Sequence, residues 1–415
     1  MTGRQASRAT EAGTAAALFT LVLLWDILLY VVQLSVSGAH LLSLPSGHFV
    51  HDFAFFWGGP RLFWLGDVAR IFDPERFNSW LAGQIAPGSM QQFATWSYPP
   101  TMLLPLLPFG LLPLPVAFLA WLSATFALLA IVLRQVVGET RTIAAVMLSP
   151  AAFYCFFYGQ NGALTAALLI AGLWLIDRRP LIAGACIGAL VIKPQLGIVL
   201  PFALAAGGYW RAFAMAALVA TLLVLATIPL VGLAAWQGFV QATMPAMTAQ
   251  LMHAYGIPPQ FAMPTTWVTL QGWGAEPRLA ALGQGASTVM AVTIAVLAWR
   301  RPPVDRTLRN ALTCVLPLLA TPFGYVYDAI PTMLAVALIV RAHFAGRLRL
   351  TWWERPLLAG VWLLPALMVP WQFLLHLRPV GAWLLMAFAL SLLWRVMTSP
   401  MPSRRRAEPA PGTTG

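Results

Sequence analysis

The sequence predicts an all-α, polytopic integral membrane protein with about twelve transmembrane helices. Three observations carry that prediction. The 415 residues are 60% hydrophobic and only 9% charged, and the mean hydropathy is +0.76, more apolar surface than a soluble domain hides. The apolar residues come in long runs, whereas a transmembrane barrel shows short alternating stretches. The arginines stand at the ends of those runs, so the formal charge of +12 orients helices and predicts no nucleic-acid partner.

Taken in order, residues 1–14 form a short segment carrying Arg4 and Arg8. The apolar run over 15–36 is too long for a signal-peptide core and has no clear small-residue cleavage site, so it reads as a retained first span. A loop follows over about 37–97, with Asp52, Asp67, Asp73, Glu75 and an aromatic stretch, Phe53–Trp64. Trp and Phe favour the membrane interface, so this stretch reads as short interfacial helices. Tyr98-Pro99-Pro100 opens a proline-broken apolar piece that ends at Leu112. Spans are expected near 114–134, 142–158 and 162–177, then two short ones at 181–192 and 195–208, then 211–232. A second long loop, 233–277, is rich in Pro, Gln, Trp and Met. Spans near 279–299, 308–323, 329–341, 356–374 and 380–398 complete the polytopic domain, 15–398. Residues 399–415 read as a disordered basic tail.

Charge sets the orientation. Arg178-Arg179, Arg211, Arg300-Arg301, Arg306, Arg309, the Arg341–Arg355 cluster and Arg404–Arg406 belong inside. Alternation then places both termini in the cytoplasm. The two long loops, Gly159-Gln160-Asn161, Lys193-Pro194 and Asp328 fall outside. The count works if the Pro99–Leu112 piece is re-entrant or half-crossing. The outer loops hold acids (Asp52, Asp67, Asp73, Glu75, Glu276, Asp328), which a pure scaffold has no need to gather at one face.

Several residues carry possible chemistry. Asp52 is a carboxylate at the membrane boundary amid Phe49, Phe53, Phe55 and Phe56, costly without a partner or a task. It reads as a general base on an acceptor hydroxyl, or as a cap of the next helix. His48 and His51 beside it make a weak metal pattern, and no metal is expected. Lys193 is the only lysine among 25 basic Lys and Arg side chains, and it breaks the positive-inside pattern. An ammonium there suits a phosphate; the plainer reading is a snorkelling side chain. Gly159-Gln160-Asn161-Gly162 suits either sugar hydroxyls or a tight turn. Tyr325-Val326-Tyr327-Asp328 would line a pocket or form part of an aromatic belt. Arg61 and Arg70 would neutralise a phosphate or pair with Asp67 and Asp73. Asp26, in mid-span, has no identifiable partner. Cys155, Cys186 and Cys314 lie in apolar runs and read as packing residues. No nucleotide-binding motif and no Gly-x-Ser-x-Gly elbow occurs; an external site then needs a lipid-linked substrate already on that side.

In order and spacing, these residues resemble glycosyltransferase family 87, of the GT-C class. The matching features are Asp52, Gly66, Phe72-Asp73-Pro74, Tyr98-Pro99-Pro100, Gly159-Gln160-Asn161, Ala183-Gly184 leading to Ile192-Lys193-Pro194, and Thr321-Pro322 with Tyr327-Asp328. The resemblance implies a GT-C-like membrane fold. It also implies transfer of a sugar, typically mannose, from a polyprenyl-phosphate sugar donor to a hydroxyl of a glycan or glycolipid acceptor. Transfer would invert the anomeric centre, at the external face of a bacterial inner membrane. Carried over, Asp52 would be the base and Lys193, with Arg61, would hold the donor phosphate. His51, Tyr98, Gln160, Asn161, Tyr327 and Asp328 would contact substrate, with no cofactor. The competing expectation is a transporter or flippase of a lipid-linked saccharide, with Lys193 in a broken helix. Against it, no second copy of that broken element is visible in the other half of the chain.

Overall fold

The computed structural model describes residues 51–85, 96–253, 255–256, 258–301, 306–373 and 375–399. The first span at 15–36, Asp26, His48 and the tail beyond Ser399 lie outside the described residues. Those residues are all-helical, with no strand among them. Five helices are long and apolar enough to cross a membrane: Leu114–Val136, Trp210–Val231, Pro277–Arg300, Val326–Phe344 and Gly381–Thr398. A sixth crossing results if Thr140–Met147 and Pro150–Tyr158, bent by 49°, act as one broken span. Against the expected twelve, five or six meet these criteria among the described residues, and Gly162–Leu175, Pro180–Ile192 and Pro194–Ala206 are shorter apolar helices.

Burial sorts the helices. Val326–Phe344 is mostly buried inside the protein, whereas Trp210–Val231 fully buries almost none of its side chains. The latter is the chain's lipid-facing wall, since an apolar helix is stable in that state only against hydrocarbon. The shorter Gly162–Leu175 and Arg306–Ala320 helices run through the centre, and almost every side chain of the latter is buried.

The aromatic stretch after Asp52 is one helix, His51–Trp64. Its Phe53, Phe55, Phe56, Trp57 and Leu62 are buried against protein, in one core with Tyr98, Met102, Phe118 and Trp121. It is thus packed on protein along most of its apolar face, where composition suggested helices lying at the lipid interface. The stretch continues as a 3-10 turn, Val68–Phe72, and a helix, Pro74–Ile85. Gly66 takes a left-handed turn (φ +77°). The Asp73 carboxylate accepts from the Arg76 amide, 3.1 Å, ahead of Pro74 in the first turn, a standard helix start.

The proline-broken piece is a chain of short turns, Pro100–Met102, Leu103–Leu106 and Leu107–Leu111. At about 1.5–2 Å per residue it falls short of the ~30 Å hydrocarbon core. Its carbonyls are satisfied from the His51–Trp64 helix. Trp57 Nε1 donates to Leu112 O (2.9 Å), Arg61 to Gly110 O (3.3 Å) and Trp64 Nε1 to Leu107 O (2.8 Å). These donors are spaced i, i+4, i+7, one stripe of the helix. A Cβ on Gly110 would sit 2.6 Å from the Pro60 backbone, so the two segments are in direct backbone contact.

The helices share a polarity. At one end Arg306 and Arg309 meet Asp177 (3.2 and 3.8 Å), and Arg341 meets Glu139 (3.5 Å). Arg309 is buried over the Trp299 ring, 4.1 Å from its centroid. Asp52, Gln160, Lys193 and Asp328 lie at the opposite ends of the same or neighbouring helices. Gly162–Leu175, for instance, starts after Asn161 and ends just before Asp177.

Candidate active site

The site is built on a tight turn. Helix Pro150–Tyr158 ends at Gly159, which is left-handed at φ +66°, and the Gln160 amide reaches back to Cys155 O, 2.9 Å. This is a glycine-terminated helix end in which the 6→1 bond satisfies an orphan carbonyl. The Cys155 thiol completes the turn: it donates to Gln160 O (3.2 Å) and accepts from the Ala163 amide (3.2 Å). The sequence marked Cys155 only as a packing residue; a thiol five positions before the turn carried no distinguishing signal.

Both flanking glycines are required by contact. A Cβ on Gly159 would lie 2.7 Å from Phe53 Cβ and 2.8 Å from the Phe118 ring. One on Gly162 would lie 2.2 Å from the Tyr327 carbonyl oxygen. The first contact brings the start of the Asp52 helix onto the turn. The second brings the Tyr327-Asp328 segment onto its other side.

Each amide of the turn is then oriented by a charge of opposite sign. Gln160 Nε2 donates to Asp52 Oδ2, 3.0 Å. Its Oε1 accepts from the Tyr98 hydroxyl, 3.3 Å. Asn161 Oδ1 accepts from Lys193 Nζ, 3.2 Å. A carboxylate only accepts and an ammonium only donates, so neither amide can be flipped without losing its bond.

Lys193 is 1% exposed. Its Nζ lies 2.7 and 2.9 Å from the two Asp328 oxygens. It also sits 4.9 Å from the Tyr327 ring centroid and 5.8 Å from that of Tyr98. Asp328 accepts in addition from the Tyr325 amide, 3.1 Å, and the Tyr325 ring stacks on Tyr327 at 5.2 Å. In the sequence, Lys193 reads as a phosphate ligand and Asp328 as part of a pocket wall, with nothing to link them. They are a buried ion pair, invisible in one dimension because 135 residues separate them.

The position of Lys193 follows from its neighbour. Pro194 disfavours helical geometry at the preceding residue, and Lys193 sits at φ −145°, ψ 70°, between two 3-10 turns. The helix leading to it, Pro180–Ala189, crosses the lipid-facing Trp210–Val231 helix through small residues. A Cβ on Gly184 would meet Ala212 O at 2.4 Å, and one on Gly188 would meet Ala216 O at 2.4 Å. This is the close small-residue crossing used by membrane helices, and it gives the Ala183-Gly184 pair a packing role. Thr101 Oγ1 bonds Val191 O, 3.0 Å, tying the segment after Tyr98 to the same break. Beside the break, Val191, Pro194, Gly197, Ala216 and Ala220 help line an apolar groove of about 320 Å³.

The structure thus brings together Asp52, Tyr98, Gln160, Asn161, Lys193, Tyr327 and Asp328. His51 opens the Asp52 helix, but its side chain lies outside the described residues. Arg61 stands apart, nine residues and about 14 Å along the helix from Asp52, with its guanidinium on the Gly110 carbonyl. Arg70 pairs with Asp67 at 2.8 Å. Among the described residues no three His, Cys, Asp or Glu side chains gather at a metal-holding distance.

Residues 96–322, more than half of the chain, match the model of glycosyltransferase family 87. No curated protein and no solved structure matches the chain.

Proposed function

The chain belongs to glycosyltransferase family 87, a membrane glycosyltransferase, and from that premise we propose the reaction and the role of each residue at the site. The donor is a polyprenyl-phosphate sugar, with mannose as the hexose. The acceptor is a hydroxyl of a glycan or glycolipid on the external face of a bacterial inner membrane.

Asp52 is the general base. Its carboxylate takes the proton of the acceptor hydroxyl as that oxygen bonds to the anomeric carbon. The bond from that carbon to the phosphate oxygen breaks on the opposite side, releasing polyprenyl phosphate with inversion. A single well-placed carboxylate is enough for the acceptor, and polar groups aimed at the leaving phosphate stabilise its growing charge. The observation that carries this reading is the Gln160 bond to Asp52 beside the Asn161 bond to Lys193. One turn holds a proton acceptor at one end and an amide fixed by Lys193 at the other, a layout suited to an acceptor and a phosphate at adjacent positions.

The donor's phosphate therefore lies toward Asn161 and Lys193, and its lipid follows the apolar groove beside Pro194. A groove of about 320 Å³ is at the lower end of the usual range for ligand sites. Tyr98 and Tyr327 wall the sugar position. Residues 15–398 form the catalytic membrane domain, with the basic helix ends in the cytoplasm.

The test is transfer by purified protein in nanodiscs, with radiolabelled polyprenyl-phosphate-mannose and a mixed acceptor extract. Label moving into a new product supports the reading. Saturable donor binding without any product, across acceptor extracts of different composition, would favour a carrier of lipid-linked saccharide instead. Absence of donor binding would count against both.

A further inference from the structure

The ion pair bears on how the phosphate is held. An ammonium has three N–H donors. Around Lys193 Nζ stand three acceptor atoms, both Asp328 oxygens and Asn161 Oδ1, at 2.7, 2.9 and 3.2 Å. The donors are spent inside the protein. The charge is spent as well, because the Lys193 and Asp328 side chains are 2% and 0% exposed and together carry no net charge. Asn161 is in the opposite condition. It is fully buried, its carbonyl is taken by Lys193, and its Nδ2, beside the Tyr98 hydroxyl, makes no well-formed hydrogen bond among the described residues. A buried amide donor left unmade costs free energy comparable to a lost hydrogen bond. At this place in the fold, such a donor can serve a ligand oxygen.

We propose that Lys193 is a positioning residue and that Asn161 Nδ2 is the direct contact to an oxygen of the sugar-phosphate donor. Lys193, neutralised by Asp328, holds the Asn161 amide with its carbonyl inward, and this leaves the NH2 group facing the substrate. The proposal rests on the donor reading above and replaces a direct ammonium–phosphate grip. Gln160 has the mirror arrangement, one N–H of its NH2 group going to Asp52 and its carbonyl taken by Tyr98, whereas the Asn161 NH2 makes no such bond.

The two grips separate in a double-mutant cycle. Binding of radiolabelled polyprenyl-phosphate-mannose is measured on full-length protein in nanodiscs, alongside melting temperature. The variants are Lys193→Met, Asp328→Leu, their combination, and Asn161→Leu. Removing one partner of a buried pair strands a charge, whereas removing both need not destabilise. The proposal predicts that Lys193→Met weakens donor binding strongly and that the double variant recovers to within about tenfold of wild type. Asn161→Leu removes the amide without adding a charge and leaves Lys193 both Asp328 oxygens. It should bind the donor at least about tenfold more weakly, with a smaller loss of melting temperature than Lys193→Met, which strands the Asp328 charge.

If Lys193→Met does not fold, the double variant, which leaves no stranded charge, decides alone. Equal loss of binding in the single and double variants, or wild-type binding by Asn161→Leu, would overturn the inference while leaving the function intact. Wild-type protein that binds no donor would overturn the function and this inference together.

Discussion

Gln160 Nε2 donates to Asp52 Oδ2 over 3.0 Å, joining residues 108 positions apart. The same side chain accepts from the Tyr98 hydroxyl, so one buried amide sets the aim of the carboxylate proposed as the base. Gln160→Leu keeps the volume and removes both bonds. It should lower kcat by about tenfold to a hundredfold, with a smaller change in the donor's KM, because a misplaced base costs rate more than binding. Steady-state kinetics with varied donor checks this; a change confined to KM would show Gln160 to be a substrate contact only.

The Gly162–Tyr327 contact is a second dependence. With 2.2 Å between a Cβ at residue 162 and the Tyr327 oxygen, the Asp328 segment must move if any side chain is added. Gly162→Ala should destabilise by about 1–3 kcal/mol, the usual cost of overpacking, and should also reduce transfer, since the Lys193–Asp328 pair shifts with the segment. Thermal unfolding and initial rates on the same preparation measure the two effects. Full activity at unchanged melting temperature would mean the turn is looser than its contacts imply.

Arg61 distinguishes a structural donor from a phosphate ligand. Its guanidinium satisfies the Gly110 carbonyl, so Arg61→Met should cost about 1 kcal/mol of stability and leave donor affinity within twofold, a shift of less than about 0.5 kcal/mol. Donor titration of the variant reads this directly. A tenfold loss would return Arg61 to the phosphate.

Topology is open to labelling. Arg76 and Arg178 are both exposed, and they fall on opposite sides of the membrane in this account. In a background with the half-buried Cys186 replaced by serine, Arg76→Cys should react with a membrane-impermeant thiol reagent in intact cells. Arg178→Cys should react only after lysis. The reverse pattern would invert the orientation.

Much of this was legible in the sequence, for identifiable reasons. Hydropathy runs mark helices because lipid demands self-satisfied backbone, and the lone lysine before Pro194 stands out against a background of arginines. The turn glycines and Tyr98-Pro99-Pro100 carry local signals. The pairing of Lys193 with Asp328 does not, since charge partners on distant helices leave no mark in spacing. The same holds for the Trp57, Arg61 and Trp64 stripe. Its register fits a helix, but its partners are backbone carbonyls of the proline-broken segment, and carbonyls have no sequence identity. The aromatic stretch after Asp52 misled for a related reason. Trp and Phe suit an interface and a protein core equally well, and only the packing against Phe118 and Trp121 decides.

The central claim is that Asp52 is the base. Wild type, Asp52→Asn and Asp52→Glu should be compared in nanodiscs for single-turnover transfer from radiolabelled polyprenyl-phosphate-mannose and for donor binding. The account predicts that Asp52→Asn lowers transfer by about 10²–10⁴-fold, with donor affinity and melting temperature near wild type, and that Asp52→Glu retains part of the rate. Transfer by Asp52→Asn at most of the wild-type rate would contradict it and move the base to another carboxylate.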